Sequence, residues 1–105
     1  MITEATIRQA VKLLIEAGRP TRIILFGSHG RGEPGLESDL DFLVVQPTVK
    51  DRHQEMVRLR RELSPLRIPA DVIVVSEKSF QEWRHTPGNI LHEAAQEGRV
   101  LYEAA

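Results

Sequence analysis

A chain of 105 residues with 41% apolar and 28% charged side chains has the size and composition of one soluble globular domain, read here as a single unit over 1–105. A net charge of −1 gives no broad attraction for phosphate backbones, and the few aromatics do not alternate with basic residues, so no direct nucleic-acid binding is expected. Cysteine is absent, which excludes disulfide and thiolate chemistry. With neither a signal-peptide pattern nor an apolar run near the ~20 residues of a membrane helix, a cytoplasmic, membrane-free protein is expected.

In chain order, Thr3 is placed as an N-cap, with Ile2 and Ile7 spaced for a hydrophobic staple across it. Ile7, Val11, Leu14 and Ile15 follow the stripe of an amphipathic helix, which Gly18 and Pro20 should stop. Arg22–Phe26 is a first strand. Ser28 to Gly32 is at most a short helical turn, and Glu33–Ser38, with Pro34 and Gly35, is a loop that could close over a ligand. Asp39–Val45 is a second strand, apolar enough beyond its acids to be buried on both faces. Pro47 ends it.

Asp51–Leu63 reads as a helix with Met56, Leu59 and Leu63 inward and Val57 a further inward candidate; its Arg58, Arg60 and Arg61 read as a solvated face or, near an acidic partner, as part of an interface. Pro65 and Pro69 bracket a linker before a third strand, Ala70–Val75, whose one charge is Asp71. Ser76 should cap a helix carrying Phe80 and Trp83. Thr86-Pro87 should open a last helix through Ile90, Leu91, Ala94 and Ala95, ended by Gly98. Arg99–Tyr102 closes the chain as a short strand. The order αβ(α)βαβααβ implies an α/β or α+β domain with a small mixed sheet and flanking helices.

The chemistry gathers between Ile23 and Val45. A β-branched strand ends at Gly27-Ser28, where a missing Cβ lets backbone approach a ligand and a hydroxyl with free N–H groups suits a phosphate. Taken alone, the step is an ordinary strand-to-helix turn with Ser28 as its cap. Ten residues later come Asp39 and Asp41, on one face of a strand at a Cα separation of roughly 6.5–7 Å. Two carboxylates so placed favour a hard divalent cation, Mg²⁺ above all. Asp71, near the start of another buried strand, is either a turn-capping acid or a third carboxylate of the same site, since a lone buried carboxylate is costly.

Gly27-Ser28, ten residues, then Asp39-x-Asp41, with Arg31-Gly32 after the Gly-Ser step, resembles the signature of the DNA polymerase β-type nucleotidyltransferases. Within them it is most similar to the minimal nucleotidyltransferase (MNT) group, the antitoxin halves of HEPN–MNT toxin–antitoxin pairs. The resemblance spans nearly the whole chain, including the strand with Asp71 and the ending GRVLYE. His29-Gly30 departs from it, where the family carries a larger residue followed by alanine.

The resemblance implies a polymerase β-type fold and two Mg²⁺ ions held by Asp39, Asp41 and Asp71, with Asp71 serving the nucleophile's ion or acting as its base. It further implies ATP as substrate, its phosphates held by Gly27 and Ser28 with help from Arg31, for which a salt bridge to an acid such as Glu33 is the competing role. No histidine shows metal spacing, and His29 alone stands near the expected ligand. The expected activity is transfer of AMP to a tyrosine hydroxyl of a cognate HEPN ribonuclease toxin, in a hetero-oligomeric complex. The alternatives are a non-catalytic antitoxin that inhibits by binding, and a small-molecule nucleotidyltransferase of the aminoglycoside-modifying type. The latter is disfavoured because the chain carries no segment for an acceptor-binding domain.

Overall fold

The computed structural model describes residues 2–27 and 40–104. Helix α1 (Glu4–Gly18) starts at Thr3, whose Oγ1 accepts the Thr6 N–H at 3.2 Å, and buries Ile7, Ala10 and Leu14. It ends at Gly18, but the left-handed residue that stops it is Arg19 (φ 46°), whose N–H returns to the Ile15 carbonyl. Strands β1 (Arg22–Phe26) and β2 (Leu40–Gln46) are followed by helix α2 (Arg52–Glu62), capped by the Asp51 carboxylate on the Gln54 N–H. After a 3₁₀ turn over Ser64–Leu66 come β3 (Ala70–Ser76), α3 (Glu77–Trp83), α4 (Ile90–Glu97) and β4 (Arg99–Glu103). The mixed sheet with flanking helices is the expected class. The expected turn at Ser28–Gly32 and the loop after it lie outside the described residues.

The sheet order is β3-β2-β1-β4. β1 is antiparallel to both neighbours, whereas β2 and β3 run parallel, joined by α2 as a crossover. Strand alternation then divides the core into two layers. Ile23, Leu25, Phe42, Val44, Val72 and Val74 face α1 and α2, with Leu14 and Leu59 packed on them. Ile24, Leu43, Val45 and Val75 face the other way, against Phe80, Leu91 and Ala94 of α3 and α4. This two-sided cover is why β2 is continuously apolar after Asp41.

Two local expectations give way to tertiary structure. Thr86-Pro87 does not open α4; Asn89 does, accepting the N–H groups of Leu91 and His92 while its amide donates to the Trp83 carbonyl. Asn89 satisfies both helix donors and anchors the preceding turn at once, so it outcompetes the threonine. Val57 is 43% exposed rather than inward, because α2 turns Leu59 and Leu63 to the sheet and leaves Val57 at the helix margin.

The junction of α4 and β4 admits no side chain at Gly98. A Cβ there would stand 2.4 Å from the Ala94 carbonyl oxygen and 2.5 Å from Ile24 Cγ2. Gly98→Ala should therefore cost about 1–3 kcal/mol by overpacking, a drop of several degrees in melting temperature for a domain of this size. An unchanged melting curve would show that the junction relaxes freely.

Ion pairs tie the elements at the surface. The Glu55 carboxylate, held below the usual 4.5 by hydrogen bonding from Arg58, also accepts the buried Gln46 amide at 2.6 Å, and that amide reaches the Gly18 carbonyl. Burial pushes Glu77 upward, but hydrogen bonds from Arg22, Gln81 and Thr21 outweigh it and its value is lowered. Both depressed values make the unfolded chain the first to take up protons on acidification. Stability should hold above about pH 5 and fall progressively as the pH drops through and below 4.5. Melting curves at stepwise lower pH test this. Glu55→Gln should flatten the acid limb, and a limb of unchanged steepness would remove Glu55 from the account.

Candidate functional site

The register of the three strands β1, β2 and β3 assembles the site. Asp41, the second residue of β2, lies opposite Phe26 at the end of β1 and beside Asp71, the second residue of parallel β3. Neighbouring strands are roughly 4.8 Å apart, so the two acids stand next to each other. They share the sheet face that carries Leu43, Val45, Ile73 and Val75. Both strands begin at this edge and β1 ends here, so Gly27, leaving β1, meets Asp41.

Gly27 is shaped for that meeting. Its φ is +73°, a conformation side chains rarely adopt. A Cβ on it would stand 2.6 Å from Asp41 Oδ2. The carboxylate thus occupies the room that a side chain would need. Gly27, expected from the sequence to let backbone approach a phosphate, here lies against the carboxylate of Asp41.

Around the pair lies a cleft of about 330 Å³, lined by Phe26 and Ile73, by His53 and Arg60 of α2, and by Ile90 at the start of α4. Depressions of about 870 and 460 Å³ occur elsewhere. The acids of the larger, Asp51 and Glu55, are already committed to capping α2 and to Arg58, so size does not select the site. Asp41 is half-buried and Asp71 half-exposed. Arg60 Nη2 lies 3.6 Å from Asp71 Oδ1.

Of the residues singled out from sequence, Gly27, Asp41 and Asp71 are brought together. Ser28, Arg31 and Asp39 lie outside the described residues, as does His29. Among the described residues no group of three acids, histidines or cysteines is arranged to hold a metal. Mg²⁺ nonetheless characteristically takes only one or two protein carboxylates and completes its shell with water and substrate phosphates. The adjacent hard oxygens of Asp41 and Asp71, open to a cleft, fit that habit.

The polymerase β nucleotidyltransferase family model matches residues 8–105. The chain belongs to this family. A Methanocaldococcus jannaschii protein named "Putative protein adenylyltransferase MJ0604" is 34% identical over 85 residues, 81% of each chain. In fold the chain is similar to a Sulfolobus solfataricus protein named "putative nucleotidyltransferase" (TM-score 0.66, 19% identity, 94% of this chain and 78% of that one). It is equally similar to a chain of a toxin–antitoxin complex with AMP-PNP (TM-score 0.66, 23% identity, 98% of this chain and 75% of that one).

In this nucleotidyltransferase, two cleft residues escaped the sequence reading. Arg60 is solvent-exposed, as read from the sequence, but also turns to Asp71. His53 lines the same cleft, although no histidine in the described part stood out in the sequence. Their signal was present in the helical spacing: His53, Val57 and Arg60 are i, i+4 and i+7 on one stripe of α2. What periodicity could not supply was that this exposed stripe borders the cleft at Asp71.

Proposed function

We propose that the chain is a Mg²⁺-dependent adenylyltransferase that moves AMP from ATP to a tyrosine hydroxyl of a HEPN-type ribonuclease toxin and thereby acts as its antitoxin. The observation that supports this best is the in-register pair Asp41–Asp71 with Gly27 pressed against it, at the mouth of a cleft wide enough for a reacting group. Membership of the nucleotidyltransferase family, a relative named as a protein adenylyltransferase and a structural neighbour in a toxin–antitoxin complex point the same way. No described helix is long and apolar enough to cross a membrane.

In this reading Asp39, Asp41 and Asp71 hold two Mg²⁺ ions, which supply charge neutralisation at the triphosphate and acidify the attacking hydroxyl. Gly27, Ser28 and Arg31 hold the nucleotide phosphates. The acceptor oxygen forms a bond to the α-phosphorus as the bond to pyrophosphate breaks, and the hydroxyl proton passes to Asp71 or to water beside it. Ile73 and Ile90 give the acceptor side of the cleft an apolar wall suited to an aromatic ring.

Intact-mass spectrometry of the chain mixed with the candidate toxin, ATP and Mg²⁺ is the test. The toxin should gain one or more AMP units at a tyrosine. Asp71→Asn should abolish that gain while substantial ATP binding remains. Neutralisation without a mass change, by the wild type and Asp71→Asn alike, would leave inhibition by contact as the function.

A further inference from the structure

We infer that Arg60 is a tethered counter-ion of Asp71, which a divalent cation must displace. This rests on the reading of Asp41 and Asp71 as metal-holding acids. Arg60 projects from the last turn of α2 into the cleft and places its guanidinium 3.6 Å from Asp71 Oδ1. The pair is loose and wet, with the two side chains 66% and 52% exposed. Such a pair contributes little to folding and opens readily. It is also the one ion pair of Asp71 among the described residues.

A carboxylate oxygen that binds Mg²⁺ does so at 2.0–2.1 Å in a near-octahedral shell, and a dication that close repels a guanidinium in the same cleft. Arg60 and the metal therefore compete for Asp71. The side chain's length and exposure let it swing to solvent when the metal arrives. Without nucleotide, Arg60 keeps metal affinity low; phosphate oxygens that complete the metal's shell tip the competition. The consequence is a site that fills with metal and nucleotide together rather than one that stores metal.

Mn²⁺ titration of the nucleotide-free chain, followed calorimetrically or by the paramagnetic signal of free Mn²⁺, tests this directly. Arg60→Gln should bind Mn²⁺ about three- to ten-fold more tightly than wild type. Arg60→Lys, which keeps the charge, should stay near wild type. Asp71→Asn should weaken binding, and adding Arg60→Gln to it should restore little, because the competition requires the carboxylate.

Equal or weaker binding by Arg60→Gln overturns the inference. So does a gain that persists without Asp71, or no measurable binding by either wild type or Arg60→Gln. The metal-site reading fails by a different result: Mn²⁺ binding with AMP-PNP present that Asp41→Asn and Asp71→Asn leave untouched. If those variants weaken it while Arg60→Gln changes nothing, only the role of Arg60 falls.

Discussion

Replacing Asp41 by asparagine is expected to lower AMP transfer at least ~10²-fold, several kcal/mol of barrier being within reach of one lost metal interaction. The substitution keeps the shape of the side chain that fills the space at Gly27 but removes the charge that faces the cleft. Folding should change little. Asp41 sits beside Asp71 across one parallel register step, so neutralising it relieves carboxylate repulsion. Labelled-nucleotide transfer and a melting curve, measured together, separate chemistry from folding. A normally folded Asp39→Asn, Asp41→Asn double variant that still transfers AMP would end the catalytic reading of these acids.

Gly27→Ala should be nearly as damaging, by a different route. The methyl group meets Asp41 Oδ2 at 2.6 Å, and the backbone is held at φ +73°. The left-handed conformation costs a non-glycine residue roughly 1–2 kcal/mol, and the carboxylate must shift away from the new methyl. A displacement of about 1 Å at a reacting centre can cost ~10²-fold in rate. Transfer should thus fall on the order of 10²-fold while the melting temperature drops only several degrees. Ser28→Ala, which removes one hydrogen-bonding hydroxyl, should do less. Calorimetric titration of ATP with Mg²⁺ ranks the two. Wild-type affinity and rate in Gly27→Ala would reduce the Gly-Ser step to a turn.

The contrast between local and long-range information runs through the whole molecule. Element identity was legible in the sequence because its causes are local. Caps at Thr3, Asp51 and Ser76 satisfy donors within three residues, and apolar spacing marks which face is covered. Gly27, Asp41 and Asp71 could be singled out because a glycine directly after a strand and acids at the heads of apolar strands stand out by residue type and spacing, although Asp71 is half-exposed rather than buried. Where a non-local partner competes, the local rule loses, as Thr86 loses to Asn89 and Val57 to the turn of α2.

By itself, then, the sequence determined a mixed α/β fold and named the acids, since residue type, spacing and periodicity are one-dimensional properties; the nucleotidyltransferase type came from what its motif resembles. Only the tertiary structure decided that β2 and β3 run parallel in the register that sets Asp41 beside Asp71, and that Asp41 occupies the space a side chain on Gly27 would fill. It alone brought Arg60 from the end of α2 onto Asp71. Strand register and crossover geometry are settled by how two core layers close around one sheet, and no interval counted along the chain contains that distance.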